Sequence, residues 1–135
     1  MPNPTVRSRL AIAVVVALVL ALAAACAPTA GRPAVEFVAN TEDVISEIAI
    51  YGVSRQPNPN MNFYSVESIG DRFVTLYSES TVGFTILIGR METRLTFTAQ
   101  QRGEVTVLAA SGRGTNAADE LDLILMYLSS VFERL

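Results

Sequence analysis

The chemistry open to this chain is set by a short inventory: one cysteine, thirteen carboxylates, ten arginines and an ordinary set of hydroxyls, with no histidine and no lysine. Without histidine there is no Ser-His-Asp or Cys-His nucleophile and no histidine-bearing zinc site. Without lysine there is no Schiff base, no Ser-Lys pair and no P-loop lysine. Carboxylate pairs remain, and these can hydrolyse glycosides. Glu42, Asp43 and Glu47 form one acidic group; Asp119, Glu120 and Asp122 form another. Both fall where helices are expected to start, and there a carboxylate caps orphan N–H groups and complements the dipole. The same dipole lowers a carboxylate pKa, the wrong direction for a general acid at neutral pH. A base working between strands would have to be a residue such as Glu67 or Glu92. The reading is no enzyme, no catalytic residue, no metal and no cofactor; the alternative is a carboxylate-dependent hydrolase.

Cys26 has a different setting. Arg7 and Arg9 precede an unbroken apolar run, Leu10–Ala25, and Cys26-Ala27-Pro28 follows it. A positive segment, an apolar segment and a small-residue cleavage site define a secretory signal, with the arginines left on the cytoplasmic side. Sixteen apolar residues are short of the ~20 that a membrane-spanning helix needs, and Pro28, Gly31 and Pro33 stop a helix promptly. Ala23-Ala24-Ala25-Cys26 resembles the bacterial lipobox, in which two small residues precede an invariant cysteine; Ala23 stands where that motif prefers leucine, with Leu22 one residue earlier. The resemblance covers about the first 27 residues. It implies a diacylglyceryl thioether on the Cys26 sulfur, cleavage before Cys26, and acylation of the freed amine, for instance with palmitate. Ala27, where aspartate would mark inner-membrane retention, implies the outer membrane in a Gram-negative host and otherwise the outer face of the cell membrane. Plain secretion after Ala25 and an uncleaved anchor are the alternatives.

The expected organisation is a signal peptide over 1–25, a lipidated Pro/Gly/Ala tether over 26–33 and one domain over 34–135. The mature part keeps 8 basic against 13 acidic residues, a net charge of −5. That argues against nucleic acid as a partner and against a basic patch drawn to anionic headgroups.

The domain has to be built by the following elements. Ala34–Ala39 reads as a short strand with Val35 and Phe37 on one face. Asn40 or Thr41 caps a helix of about 12 residues, buried through Val44, Ile45, Ile48, Ala49 and Gly52. Pro57-Asn58-Pro59-Asn60 ends it, and Pro57–Asn62 is a candidate recognition loop. Asn62–Ile69 and Arg72–Ser78 form a hairpin at Gly70-Asp71. Val82–Ile88 reads as a third strand of this run and Met91–Ala99 as a fourth, with Thr93, Leu95 and Phe97 inward; Gly89 allows a turn between them or a bulge in one bent strand. Glu104–Ala110 is a fifth, with Val105 and Val107 inward. Ser111-Gly112-Arg113-Gly114 reads as a loop, although its place before a helix could seat an anion. Thr115 or Asn116 then caps a long helix with the stripe Leu121, Ile124, Leu125, Leu128, Phe132 and Leu135, widened by Leu123, Tyr127 and Val131. Phe73, Tyr77 and Phe84 read as core, or as the lining of a cavity between sheet and helix.

Consecutive strands without intervening helices mean an antiparallel meander. The expected fold is α+β: a two-layer sandwich, about five strands covered by an N-terminal and a long C-terminal helix. The element order is similar to that of small sheet-and-helix lipoprotein domains of outer-membrane assembly machinery. The expected function is that of a cell-envelope lipoprotein that holds the membrane through lipid on Cys26 and binds an envelope protein partner. The alternative is a carrier of a small apolar ligand.

Overall fold

The computed structural model describes residues 4–25 and 29–135. Cys26, the expected lipidation site, lies outside the described residues. Helix α1 (Pro4–Ala25) contains the apolar run. Among the described residues no helix is long and apolar enough to cross a membrane.

The domain follows as β1 (Thr29–Val38), α2 (Thr41–Gly52), β2 (Ser65–Gly70), β3 (Phe73–Glu79), α3 (Val82–Leu87), β4 (Glu92–Arg102), β5 (Val105–Gly114) and α4 (Ala117–Val131). The five strands form one antiparallel sheet in the order β1-β5-β4-β3-β2. Strands β2 to β5 are the expected meander; β1 adds outside β5. The chain must therefore cross the whole sheet between β1 and β2. Helix α2, with 12 residues, covers about 18 Å of a path of four strand spacings, about 19 Å.

Helices α2 and α4 lie on one face. Their stripes meet the inward side chains of the sheet in a core of Phe37, Leu76, Leu95, Phe97 and Leu108 from strands and Val44, Ile48, Leu121, Ile124 and Leu128 from helices, all fully buried. Asn40 caps α2, its Oδ1 accepting from the Asp43 N–H at 2.8 Å. The two-layer α+β architecture is as the hydrophobic periodicity predicts, and among the described residues the other face of the sheet carries no helix.

Several local expectations are overturned. Val82–Ile88 is not a strand: β3 and β4 pair directly from Phe73↔Thr98 to Glu79↔Glu92, so there is no place for it between the two strands it connects. Its backbone is satisfied locally, with Thr85, Ile88 and Gly89 N–H groups donating four residues back, and α3 results. Val105 and Val107 face outward; Thr106, Leu108 and Ala110 are the inward set, a one-residue phase difference that flips every side chain. Thr29–Pro33, expected in the tether, belongs to β1, where Thr29 to Arg32 pair with β5. Helix α4 stops at Val131. Phe132 turns extended, and the tail returns along the outer edge of β1: Val38 N–H donates to Glu133 O at 2.9 Å and Leu135 N–H to Glu36 O at 3.0 Å. An edge that would otherwise expose unpaired backbone is thereby covered. Phe132 still meets the core through Phe37, at 6.3 Å between ring centres, whereas Leu135 is exposed.

Ser111–Gly114 is the end of β5 rather than a loop. Its glycines answer to crowding. A Cβ on Gly112 would sit 2.7 Å from Leu95 Cδ2, and one on Gly114 would overlap the Glu92 carbonyl oxygen. Gly114 also has φ +103°, a conformation that L side chains avoid. Gly114→Ala should therefore cost roughly 2–5 kcal/mol, from backbone strain and overlap with a main-chain atom that cannot rotate away. Gly83→Ala, in α3 with open space around it, should cost nothing. Urea unfolding midpoints of the two variants check the contrast.

Candidate functional site

The strand registers put one charged cluster on the uncovered face. Side chains alternate, so Tyr77 and Glu79 of β3, Glu92 and Arg94 of β4 and Arg113 of β5 all point away from the helices. Pairing aligns Thr29, Arg113, Arg94, Tyr77 and Ser65 in one row across the five strands. A second row, at the strand ends, sets Glu79 directly opposite Glu92.

Each cation but one is answered. Arg94 forks onto Glu67, Nε to Oε2 at 2.7 Å and Nη2 to Oε1 at 2.8 Å, and lies 5.1 Å from the centre of the Tyr77 ring. Glu67 reaches it from the irregularity in β2 between Val66 and Ser68. The hydrogen bond from Arg94 holds the Glu67 carboxyl below its usual range. Arg90, just past α3, bridges Glu79 and Glu92 at 2.9 Å each and also donates to the Tyr77 hydroxyl at 3.0 Å. The Tyr77 hydroxyl reaches both carboxylates, at 3.2 and 3.1 Å; burial raises its pKa, with Glu92 acting in the same direction. Arg113 directly faces Arg94 across the strands, a like-charge pairing that the sheet alone disfavours, and has no ion-pair partner among the described residues. Arg90, Glu92, Arg94, Arg113 and Gly114 line an open groove of about 370 Å³, continuous through Arg94 and Arg113 with one of about 340 Å³ bounded by Thr29, Thr96 and Ser111.

A second cluster ties the helices together. Glu120, 2% exposed, receives Arg55 Nη2 at 3.1 Å and Nε at 3.3 Å. Arg55 lies over Tyr51, which stacks on Tyr127 with ring centres 3.8 Å apart. The Tyr64 hydroxyl is buried beside them without a hydrogen-bond partner among the described residues; burial first, and the Glu120 charge second, push its pKa up, away from nucleophilic use. These groups fasten residues 53–64 and α2 to α4.

The structure disperses the acidic groups singled out in the sequence. Asp43 belongs to the α2 cap; Glu47 accepts from the Tyr127 hydroxyl at 2.9 Å. Asp122 pairs with Arg32 at 2.6 Å, and the hydrogen bond from Arg32 lowers its pKa. Among the described residues no group of three or more Asp, Glu, His or Cys side chains is placed to hold a metal ion. Phe73, Tyr77 and Phe84 are neither core nor cavity lining: Phe73 and Tyr77 lie on the uncovered face and Phe84 on α3, half-buried. Asn116 occupies the start of α4 in the left-handed region and makes no side-chain cap; its amide donates instead to Pro57 O at 2.9 Å, pinning one end of the Pro57–Asn62 loop. The cluster of Arg90, Arg94 and Arg113 escapes sequence reasoning because its members come from separate segments, and only the registers align them.

No family model, curated protein or solved structure matches the chain.

Proposed function

We propose that this chain is an envelope lipoprotein, anchored through Cys26, whose small non-catalytic domain binds an acidic segment of an envelope protein on the uncovered sheet face. The observation that carries the binding surface is Arg113. Among the described residues its guanidinium has no ion-pair partner, beside Arg94 in a groove on a sheet face that no described helix covers. A carboxylate entering the groove would relieve the like-charge contact and could accept a fork of two hydrogen bonds. Binding is favoured over carriage because these grooves open at the surface, and the two on the uncovered face are lined by none of the buried core cluster. It is favoured over hydrolysis because the carboxylates on this face are held by arginines, and Glu67 is shifted in the wrong direction for a general acid.

A photo-crosslinking residue at Thr96, on the uncovered face, should trap one envelope protein in native membranes. The adduct should be lost in Arg113→Glu. A crosslinker at Met126, exposed on α4, should trap nothing. Adducts from position 126 alone, or an adduct from position 96 that survives Arg113→Glu, would contradict the assignment.

A further inference from the structure

Residues 80–91 connect two adjacent strands and could have been a short polar turn. Instead they carry α3 out beyond the end of the sheet with four large aliphatic side chains almost unshielded: Val82 is 78% exposed, Ile86 79%, Leu87 82% and Ile88 73%. Outside α1, no other stretch so short exposes four such residues among those described. Phe63, 58% exposed, lies near the same end of the sheet, next to Asn62, whose N–H donates to Glu79 O. The base of the projection is fixed. Ser80 Oγ meets Thr85 Oγ1 at 2.7 Å and accepts from Met91 N–H at 3.0 Å, while Thr81 N–H donates to Asn60 O at 2.9 Å. The hydroxyls face the body of the domain and the aliphatic groups face away from it.

The registers say what lies on that side. Thr29 pairs with Arg113, Gly114 with Thr93 and Glu92 with Glu79, so β1 begins at the end of the sheet from which α3 projects. Cys26 is three residues before Thr29, at most about 11 Å of extended chain. The lateral distance from β1 to the β4–β3 pair is two to three strand spacings, about 10–15 Å. A lipid on Cys26 would therefore hold the domain with this end toward the bilayer and α3 foremost. We propose that the exposed tip of α3 is a second membrane contact, seated at the headgroup–acyl boundary of the leaflet that holds the Cys26 lipid; this rests on the anchor reading above. Electrostatic attraction is not what drives it. Arg90 is offset by Glu79 and Glu92, and Arg94 by Glu67, which leaves Arg113 as the single cation at this end without an ion-pair partner among the described residues; one charge against four aliphatic side chains means that zwitterionic lipid suffices and that salt should change binding only weakly. A second copy of the chain is a poor occupant, because four aliphatic side chains fall well short of the roughly 800 Å² per partner that a stable interface buries.

The chain has no tryptophan, so Leu87→Trp gives a sole indole at the tip, and Asp71→Trp gives one at the far end of the sheet, in the β2–β3 turn. Each full-length variant is purified from bacterial membranes, its mass at Cys26 is measured, and it is reconstituted in phosphatidylcholine vesicles with and without brominated acyl chains. The indole of Leu87→Trp should shift to the blue and lose most of its emission to brominated lipid, while that of Asp71→Trp should do neither. A water-like, unquenched indole in Leu87→Trp overturns the proposal; if the mass still shows lipid on Cys26, the anchor reading survives that failure. A blue shift without quenching means protein covers the tip and also overturns it. If Cys26 carries no lipid, the anchor reading fails by mass alone, and quenching still decides whether the tip enters the bilayer.

Discussion

Leu121→Asp is expected to abolish the native fold. Leu121 is fully buried where α4 meets the sheet, among Leu95, Leu108 and the α2 stripe. Removing its side chain down to alanine would cost about 2–5 kcal/mol in transfer and cavity terms. Aspartate adds an unpaired carboxylate in an apolar surround, a further penalty of several kcal/mol whether the group stays charged or is forced to protonate. A domain of this size has a net stability of about 5–15 kcal/mol, so the two together remove most or all of it. The neighbouring carboxylates sharpen the effect: Glu120 already uses Arg55 and Asp122 already uses Arg32, so the new charge has no ready partner. Met126→Asp is the matched control, on the same helix but 65% exposed, and should leave the melting temperature within a few degrees. Thermal unfolding followed by near-ultraviolet circular dichroism separates the cases. An unchanged melting temperature for Leu121→Asp would mean that α4 is not docked and that the two-layer packing is wrong.

The parts of this fold legible in the sequence are those where one residue pattern admits one answer. Val44, Ile45, Ile48 and Gly52, and Leu121, Ile124, Leu125 and Leu128, repeat at helical spacing over about two turns and read as buried stripes. Thr93, Leu95 and Phe97 alternate cleanly with polar neighbours, so β4 and its inward face follow directly. The failures have physical causes that are non-local. Val82–Ile88 is as β-prone as any strand here, but a strand requires a partner, and the pairing of β3 with β4 takes both. Ser111–Gly114 looks like a loop because its glycines look like turn residues; they are there because Leu95 and the Glu92 backbone leave no space for a Cβ. Val105 and Val107 are outward although apolar, since the inward positions go to Thr106 and Leu108; Thr106 is tolerated inside because its hydroxyl donates to Ala39 O at 2.8 Å. The arginine cluster is the extreme case. Arg94 and Arg113 are 19 positions apart, and nothing before the register is known says that they face each other.

The largest effect on location should come from Cys26→Ser. The thioether needs a sulfur nucleophile, and serine's hydroxyl is not a substitute under the same conditions, since it is scarcely ionised near neutral pH whereas a few per cent of a thiol is. Wild-type protein should therefore incorporate a fatty-acid label and show a lipid mass increment on the residue at position 26. The Cys26→Ser variant should show neither. Two or more acyl chains, at about 0.8 kcal/mol per buried CH₂, hold a protein stably on a bilayer, whereas a single chain gives only reversible binding. Losing the lipid should thus convert quantitative membrane recovery into nearly complete release, once the signal peptide is gone. Because cleavage at a lipobox depends on prior lipidation, the variant is best paired with a signal peptide whose removal needs no cysteine, leaving the new serine as the first residue. The domain should stay folded, because the buried core cluster begins only at Val35. Near-ultraviolet circular dichroism like that of the wild type, together with recovery in the soluble fraction after a carbonate wash, would be the expected pair of results. Wild-type protein without label or mass increment would sink the anchor outright. A Cys26→Ser protein that remains with membranes after processing would show a strong contact independent of the lipid, and the exposed aliphatic tip of α3 is where that contact should be sought.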